Sequence, residues 1–219
     1  LAKNGYTGDF IICCEPTHLN ISVQSKGAVF SKVHVPGKAA HGSRPWLGEN
    51  AVLKGMKLYD ELQKIPFLKK SSELFKSGTV TLTKIQGGDS INKIPDFCDL
   101  FLDVRYLPGQ KYEEVLSQIT EVVRRYNGIF EILTHADPVV TPTDHPMVKK
   151  LHQVTRKFEP ECRIFGQDGS SDARYYTPLG IPGIEFGPAG GGQHSTEEFV
   201  DYSKLVHFKE CLKEFLLDC

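Results

Sequence analysis

The chain has 219 residues, 40% of them apolar, and a formal net charge of −1. That is enough apolar material for a sizeable core in one or two domains, and no apolar run approaches the length of a membrane span. Without a basic excess or a block of like charge, the sequence carries no electrostatic footprint for DNA, RNA or an acidic membrane surface. Six cysteines lie at scattered spacings with no C-x-x-C pair, which reads as buried, reduced thiols in a cytoplasmic protein rather than as a disulfide framework. Leu1 stands where a Met would open a gene product and no signal-peptide pattern follows it. The expectation is a processed chain or the back portion of something longer.

In chain order, residues 1–20 read as a strand and its exit, with the apolar run Phe10-Ile11-Ile12 delivering Glu15 before Pro16 stops it. An extended run Ile21–Val35 follows, with a turn expected at Lys26-Gly27, then a helix over Asn50–Lys64 with Val52, Met56, Tyr59 and Leu62 on one face. Strands are predicted at Thr79–Ile85 and Leu100–Val104. A long helix comes next, in which Tyr112, Val115, Leu116, Ile119, Val122, Val123 and Tyr126 form an unbroken apolar face. A strand Phe130–Leu133 completes a β-α-β-β-α-β order, the pattern of a ferredoxin-like layer of helices on an antiparallel sheet. After Pro138-Val139-Val140-Thr141-Pro142 the pattern changes: a helix Pro146–Phe158 capped by Asp144, a short helix from Asp172 with that residue as its cap, a buried strand Gly183–Phe186, and a closing helix from Asp201 with Leu205, Phe208, Leu212 and Phe215 on one face. These pieces share an α/β sheet with the first strand. The expected organisation is therefore an α/β domain of residues 1–20 and 136–219 with an inserted ferredoxin-like α+β domain, 21–135. An uncovered face or edge of the inserted sheet invites self-association.

Two stretches carry chemistry. Gly190-Gly191-Gly192-Gln193-His194-Ser195 places a histidine after a run without side chains, where backbone can approach a bound group closely, and such a histidine suits a metal ligand. Glu15 sits at a strand end, where α/β enzymes place their chemistry. A carboxylate after an apolar run is expensive to hold unless paired or metal-bound. One His and one Glu do not close the site, since even a catalytic zinc takes about three protein ligands.

Four stretches together resemble a known family: Cys14-Glu15-Pro16-Thr17; Pro36-Gly37-Lys38-Ala39-Ala40-His41-Gly42-Ser43; Ser90-Ile91-Asn92-Lys93-Ile94-Pro95 with Asp103-Val104-Arg105; and Gly169-Ser170-Ser171-Asp172-Ala173-Arg174 followed by His194. In this order they resemble the zinc-dependent peptidases and deacylases that include aminoacylase-1, acetylornithine deacetylase, succinyl-diaminopimelate desuccinylase and carboxypeptidase G. The chain matches the back portion of such an enzyme. The resemblance implies a linear amide hydrolase with two zinc ions, or cobalt or manganese in their place, in which Glu15 ligates one ion and His194 the other. It implies that the remaining ligands and the general base lie upstream of Leu1, so that these residues alone are inactive; Glu197-Glu198 is not the family's acidic pair.

The same resemblance implies a lid or dimerisation domain from which His41 crosses to the partner subunit and donates to the developing oxyanion. Arg105 and Asn92 would hold a substrate carboxylate, a task that suits a planar guanidinium. Backbone N–H groups of Gly169, Ser170 and Ser171 can receive an anionic substrate end. The implied substrates are small N-acyl amino acids or dipeptides, the implied assembly is a homodimer, and no nucleic acid or membrane partner is expected. Two other readings stay open on the sequence. One is a non-catalytic homologue serving as a binding or dimerisation module. The other is a ferredoxin-like nucleic-acid binder, which the neutral charge disfavours.

Overall fold

The computed structural model describes residues 1–193 and 195–217. The strands in chain order are β1 Ile11–Cys13, β2 Ile21–Ser25, β3 Gly27–Pro36, β4 Ala40–His41, β5 Thr79–Gly87, β6 Lys93–Ile94, β7 Phe97–Tyr106, β8 Ile129–Ala136, β9 Val139–Val140, β10 Ile164–Gln167, β11 Gly183–Glu185, β12 Gly190–Gly191 and β13 Phe199–Val200. The α-helices are α1 Ala51–Leu62, α2 Tyr112–Arg125, α3 Pro146–Thr155 and α4 Tyr202–Leu217. The chain divides into an inserted unit, Gly27–Ala136, and a split unit made of Leu1–Lys26 and the chain from Asp137 onward.

The inserted unit is a four-stranded antiparallel sheet in the order β5-β7-β3-β8. With α1 and α2 this is the ferredoxin-like arrangement that the sequence pattern predicts. In β7 the alternation is strict: Cys98, Leu100, Leu102, Val104 and Tyr106 are buried, while Phe97, Asp99, Phe101, Asp103 and Arg105 lie on the other face. The buried face meets Leu58 and Leu62 of α1 and Val115, Ile119, Val122 and Val123 of α2 in one core.

α1 starts at Asn50, whose Oδ1 accepts from the N–H groups of Val52 (3.0 Å) and Leu53 (3.1 Å), satisfying two of the helix's orphan donors. Its buried face is Ala51, Gly55, Leu58 and Leu62. The expected face through Met56 is corrected, since that side chain is 45% exposed. Gly55 decides the difference: a Cβ there would stand 3.1 Å from Cys98 Sγ, so the helix approaches the sheet along its small residues. In α2, Glu113 and Glu114 open the first turn and Arg124 and Arg125 close the last, both matching the helix dipole.

The split unit has a sheet in the order β1-β11-β2-β10, with β9 also paired to β2. β1 runs parallel to β11, and β10 parallel to β2. The sequence pattern assigns Ile21–Ser25 to the inserted domain; instead β2 is the central strand of this sheet, and the first crossing lies at Lys26/Gly27. An apolar run shows that a strand is buried, not which sheet receives it.

Caps also differ from expectation by single residues. His145, not Asp144, caps α3, its Nδ1 accepting from Met147 N–H at 3.3 Å. Ser171, not Asp172, caps the short 3-10 turn Asp172–Tyr175. The first turn of α4 is capped by Asp201, whose Oδ1 accepts from Ser203 N–H at 2.9 Å. On α4, Cys211 and Phe215 are buried and Leu205 is exposed, which corrects the expected start of its apolar face. No helix among the described residues is long and apolar enough to cross a membrane. The described cysteines are all free thiols, and Cys14 is exposed rather than buried.

Candidate functional site

In the split unit Glu15 lies past the carboxyl end of β1, which runs parallel to β11, while β2 and β10 run the opposite way and β10 leads into the Gly169–Ser171 loop. β1 and β11 align so that Cys13 faces Glu185, and Glu15 follows just past the end of β1, exposed. The turn after it is stitched to the segment after β11. Thr17 Oγ1 donates to Asn20 C=O at 2.6 Å and accepts from Gly187 N–H at 3.0 Å, while Leu19 N–H donates to Gly187 C=O at 2.9 Å. His18 and Leu19 adopt φ of 54° and 60° to make this turn. Gly187 lies so close that a Cβ on it would fall 2.2 Å from the Glu15 carbonyl oxygen. Glu15 therefore stands on a rigid backbone, the requirement for a ligand or catalytic group.

His194, the other expected ligand, lies outside the described residues. The glycines before it meet a packing demand. A Cβ on Gly190 would fall 2.3 Å from Phe199 C=O, and one on Gly192, which has φ +69°, would fall 2.5 Å from Glu197 C=O. β12 packs directly against the returning backbone of β13, which leaves no space for side chains on these glycines. Glu197 and Glu198 are exposed.

Sequence reasoning missed Glu185. It is 3% exposed, and burial raises its carboxyl above the usual range, helped by the charges of Glu15 and Asp172 and opposed by hydrogen bonds with Ser171 and Gln167. The only signal was an acid inside the apolar run Gly183-Ile184-Glu185-Phe186. Beside it, burial and then the Glu185 and Asp172 charges push the Cys13 thiol up to about 11, so it is a neutral thiol at neutral pH. Of the expected anion-binding loop, Gly169 is exposed and Ser170 half-buried. Ser171 is 2% exposed, with its hydroxyl oxygen accepting from Ala173 N–H at 3.2 Å. The Ser171 side chain thus serves the fold; of its groups only the backbone is left for the expected substrate role.

In the inserted unit, β4 pairs with β6, placing His41 opposite Lys93, and Gly42 N–H donates to Asn92 C=O at 2.7 Å. The structure thus brings His41 and Asn92 together on one two-stranded ribbon. His41 is exposed. Its Nδ1 accepts from Ser43 N–H at 3.1 Å and lies 2.8 Å from Ser43 Oγ. A backbone donor on Nδ1 assigns the neutral ring's proton to Nε2, which then points a donor outward. Asn92 Oδ1 accepts from Ser90 Oγ at 2.6 Å, which orients its amide.

Arg105 does not join them. β7 runs antiparallel to β3, with Phe97 beside Pro36 and Arg105 beside Ala28, so Arg105 sits about 27 Å along the strand from the His41 end of the sheet, at the usual rise of about 3.4 Å per residue. Its Nε and Nη2 meet Asp103 Oδ1 and Oδ2 at 2.6 and 2.9 Å, and its guanidinium lies 5.2 Å from the Phe30 ring centre.

Among the described residues no three of His, Cys, Asp and Glu gather to hold a metal ion. Glu15 alone, with Cys13 a neutral thiol and Glu185 enclosed, does not make a complete centre for the expected ions.

Against known families, residues 23–130 match the Peptidase dimerisation domain of the M20 group. The chain is 31% identical over 209 residues to the acetylornithine deacetylase of Vibrio atlanticus, covering 89% of this chain and 53% of that protein. It is 23% identical over 195 residues to the succinyl-diaminopimelate desuccinylase of Marinobacter nauticus, covering 88% and 52%. The chain belongs to the M20 family of peptidases and deacylases. It spans about half the length of the curated M20 relatives it matches. The same fold is seen in the crystal structure of the aminopeptidase PepT from Bacillus cereus, with a TM-score of 0.81 at 19% identity over 98% of this chain and 59% of that one. These M20 relatives are hydrolases by name, and the segment matched by the dimerisation family overlaps the inserted unit.

Proposed function

We propose that this chain is the C-terminal portion of a di-zinc amide hydrolase, a deacylase, desuccinylase or dipeptidase acting in the cytoplasm on small N-acyl amino acids or peptides with a free carboxylate. The observation that carries this reading is the His41–Asn92 ribbon, in which Ser43 N–H occupies Nδ1 and so presents Nε2–H outward. Such a preset donor serves an oxyanion: it gains most when negative charge appears on the scissile carbonyl oxygen, and it needs no reorganisation at that moment. When bound, a zinc pair supplies Lewis-acid polarisation of the amide carbonyl, and Glu15 and His194 are the residues of this chain that would hold it.

Arg105 sits at the Ala28 end of the β3–β7 pairing, whereas His41 is on the separate β4–β6 ribbon that follows the Pro36 end of β3. A small substrate that meets both therefore needs them from two copies of the chain, which supports a homodimer with His41 acting in trans. In this arrangement Asn92 travels with His41, and Arg105 receives the substrate carboxylate by sharing the fork it now gives to Asp103. The backbone of Gly169 and Ser170 contacts the substrate's anionic end.

We infer that these 219 residues do not hydrolyse amides alone, because they offer one ligand per expected ion and no general base. The test compares this chain with a protein extended to the length of its relatives. N-acetyl and N-succinyl amino acids and dipeptides are the substrates, and bound zinc is measured in both. Turnover and zinc are expected in the longer protein only. Turnover by the 219-residue chain would overturn the reading, and a longer protein without zinc or turnover would favour a non-catalytic dimerisation module.

A further inference from the structure

Arg105 is held more firmly than a surface arginine needs to be. It lies on the sheet face opposite the core, two residues after Asp103 on β7, so both side chains rise from the same face. Its Nε donates to Asp103 Oδ1 at 2.6 Å and its Nη2 to Asp103 Oδ2 at 2.9 Å, a side-on bidentate geometry that sets the plane of the guanidinium. Across the ladder, β3 places Phe30 directly opposite Asp103 and Ala28 opposite Arg105. Phe30 is therefore the diagonal neighbour of Arg105, within reach of a long side chain. The guanidinium carbon lies 5.2 Å from its ring centre, inside the range in which a ring attracts a cation. On the other side, β5 places Thr79 opposite Arg105. The guanidinium is thus held by a carboxylate along one edge and by an aromatic ring beneath it, with the small side chains of Ala28 and Thr79 on the flanking strands. The Arg105 and Asp103 side chains are only 21% and 23% exposed, which sets the pair apart from a solvated surface ion pair. A loose arginine gives up rotamer freedom when it meets a carboxylate; here that freedom is spent in folding, before any ligand arrives.

We propose that Asp103 and Phe30 are positioning residues that preset the plane and direction of the Arg105 guanidinium for a substrate carboxylate. The inference rests on the reading above in one respect only, that Arg105 receives this carboxylate. Asp103 and Phe30 act through Arg105 and touch no reacting atom. The role has a sign that a mere neighbour would not show. If Asp103 only competed for the guanidinium, removing its charge would tighten the binding of a carboxylate; as a positioning residue, its loss weakens that binding.

The first measurement is ¹⁵N relaxation of the Arg105 Nε–H in the 219-residue chain. Asp103→Asn and Phe30→Leu are each expected to lower its order parameter from about 0.85 to below about 0.6, the values that separate rigid from flexible groups. Phe30→Tyr, which keeps the ring, should hold the wild-type value. An order parameter unchanged in either of the first two variants would overturn the proposal. The second measurement uses a protein extended to the length of the relatives. Its probe is levulinate, the N-acetylglycine analogue with a methylene in place of the amide N–H, which is not hydrolysed. Ligand-observed NMR should show binding weakened about tenfold in Asp103→Asn and about threefold in Phe30→Leu, and unweakened in Phe30→Tyr. Levulinamide, which lacks the charge, should respond to none of these variants, a contrast that a general loosening of the fold would not give. Tighter levulinate binding by Asp103→Asn would overturn the proposal. If Arg105 loosens as expected while levulinate binds wild type and Arg105→Ala alike, the carboxylate reading of Arg105 fails and the positioning of its guanidinium stands.

Discussion

The two units hold their half-buried and buried acids in opposite ways. In the inserted unit, Asp99 lies on the uncovered face of the sheet between Lys32 Nζ at 3.0 Å and His34 Nδ1 at 2.7 Å. Burial works to raise its carboxyl, but the hydrogen bonds and charges of His34 and Lys32 together bring it below the usual range. In the split unit, Glu185 is enclosed among Glu15, Asp172 and the Cys13 thiol, and its carboxyl is driven up. The first acid is placed where ionisation helps the fold, and the second where ionisation harms it. Such costly placements are found at functional sites as well as in structural networks, and here the costly one lies next to Glu15.

The largest effect expected is on the core of the inserted unit. Leu100→Ala empties a fully buried position between the sheet and its helices and should cost about 2–5 kcal/mol, read as a lowered denaturation midpoint. A loss under about 1 kcal/mol would deny the inserted unit its tight core. Next comes His41→Ala in a protein of the relatives' length, which should lower kcat by about a hundredfold to a thousandfold with little change in KM. Arg105→Ala should mainly raise KM. The reverse pattern would exchange the two roles.

Gly27→Ala follows, at about 1–3 kcal/mol. A Cβ there would fall 2.2 Å from the Tyr106 ring, forcing a buried tyrosine off its hydrogen bond to His135 Nε2 at 2.9 Å. Urea denaturation checks it, and an unchanged midpoint would show that the ring can move freely.

The smallest effects are the most specific, because the two acids must respond to pH with opposite signs. Asp99 has a folded pKa below its unfolded value, so its stabilisation is present above the usual carboxylate range and fades as pH falls through the folded value. Asp99→Asn should therefore destabilise at neutral pH and make little difference in strong acid. Glu185 has a folded pKa above its unfolded value, so its cost appears as pH rises through the usual carboxylate range and is complete above the folded value. Glu185→Gln should gain stability over wild type toward neutral and alkaline pH and match it in acid. Denaturation curves of both variants across pH measure this, and slopes of the same sign would erase the contrast between the units.

How much of this was legible in the sequence depended on whether a feature is local. The strands and helices of the inserted unit announce themselves by period: two in Phe97–Tyr106, three to four in Tyr112–Arg125. The family-like motifs marked Glu15, His41 and Asn92, and the structure places His41 on β4 and Asn92 at the start of its partner strand β6. Pairing is not local, and there the sequence misled. Ile21–Ser25 reads as apolar strand in either sheet, and only its partners decide. Asn92 and Arg105 look close in the sequence, yet an extended strand separates them by nearly the length of the sheet. The glycines before His194 drew a functional explanation because the backbone they pack against returns only at Glu197–Val200. Glu185 drew none, because a single acid in an apolar run gives no hint of how deeply the sheet buries it.

The central claim is that this lid lends His41 to a partner's reaction, and subunit mixing tests it most directly. Two variants of a protein extended to the relatives' length are made, His41→Ala and Glu15→Ala, each expected to lose most of its activity alone. In the mixed dimer, the Glu15→Ala subunit supplies an intact His41 to a neighbour whose Glu15 is intact, so one working site is assembled. The account predicts that activity returns on mixing, in step with the fraction of mixed dimers counted by native mass spectrometry. Mixed dimers that form and stay inactive would contradict it and place His41 in cis or outside the site.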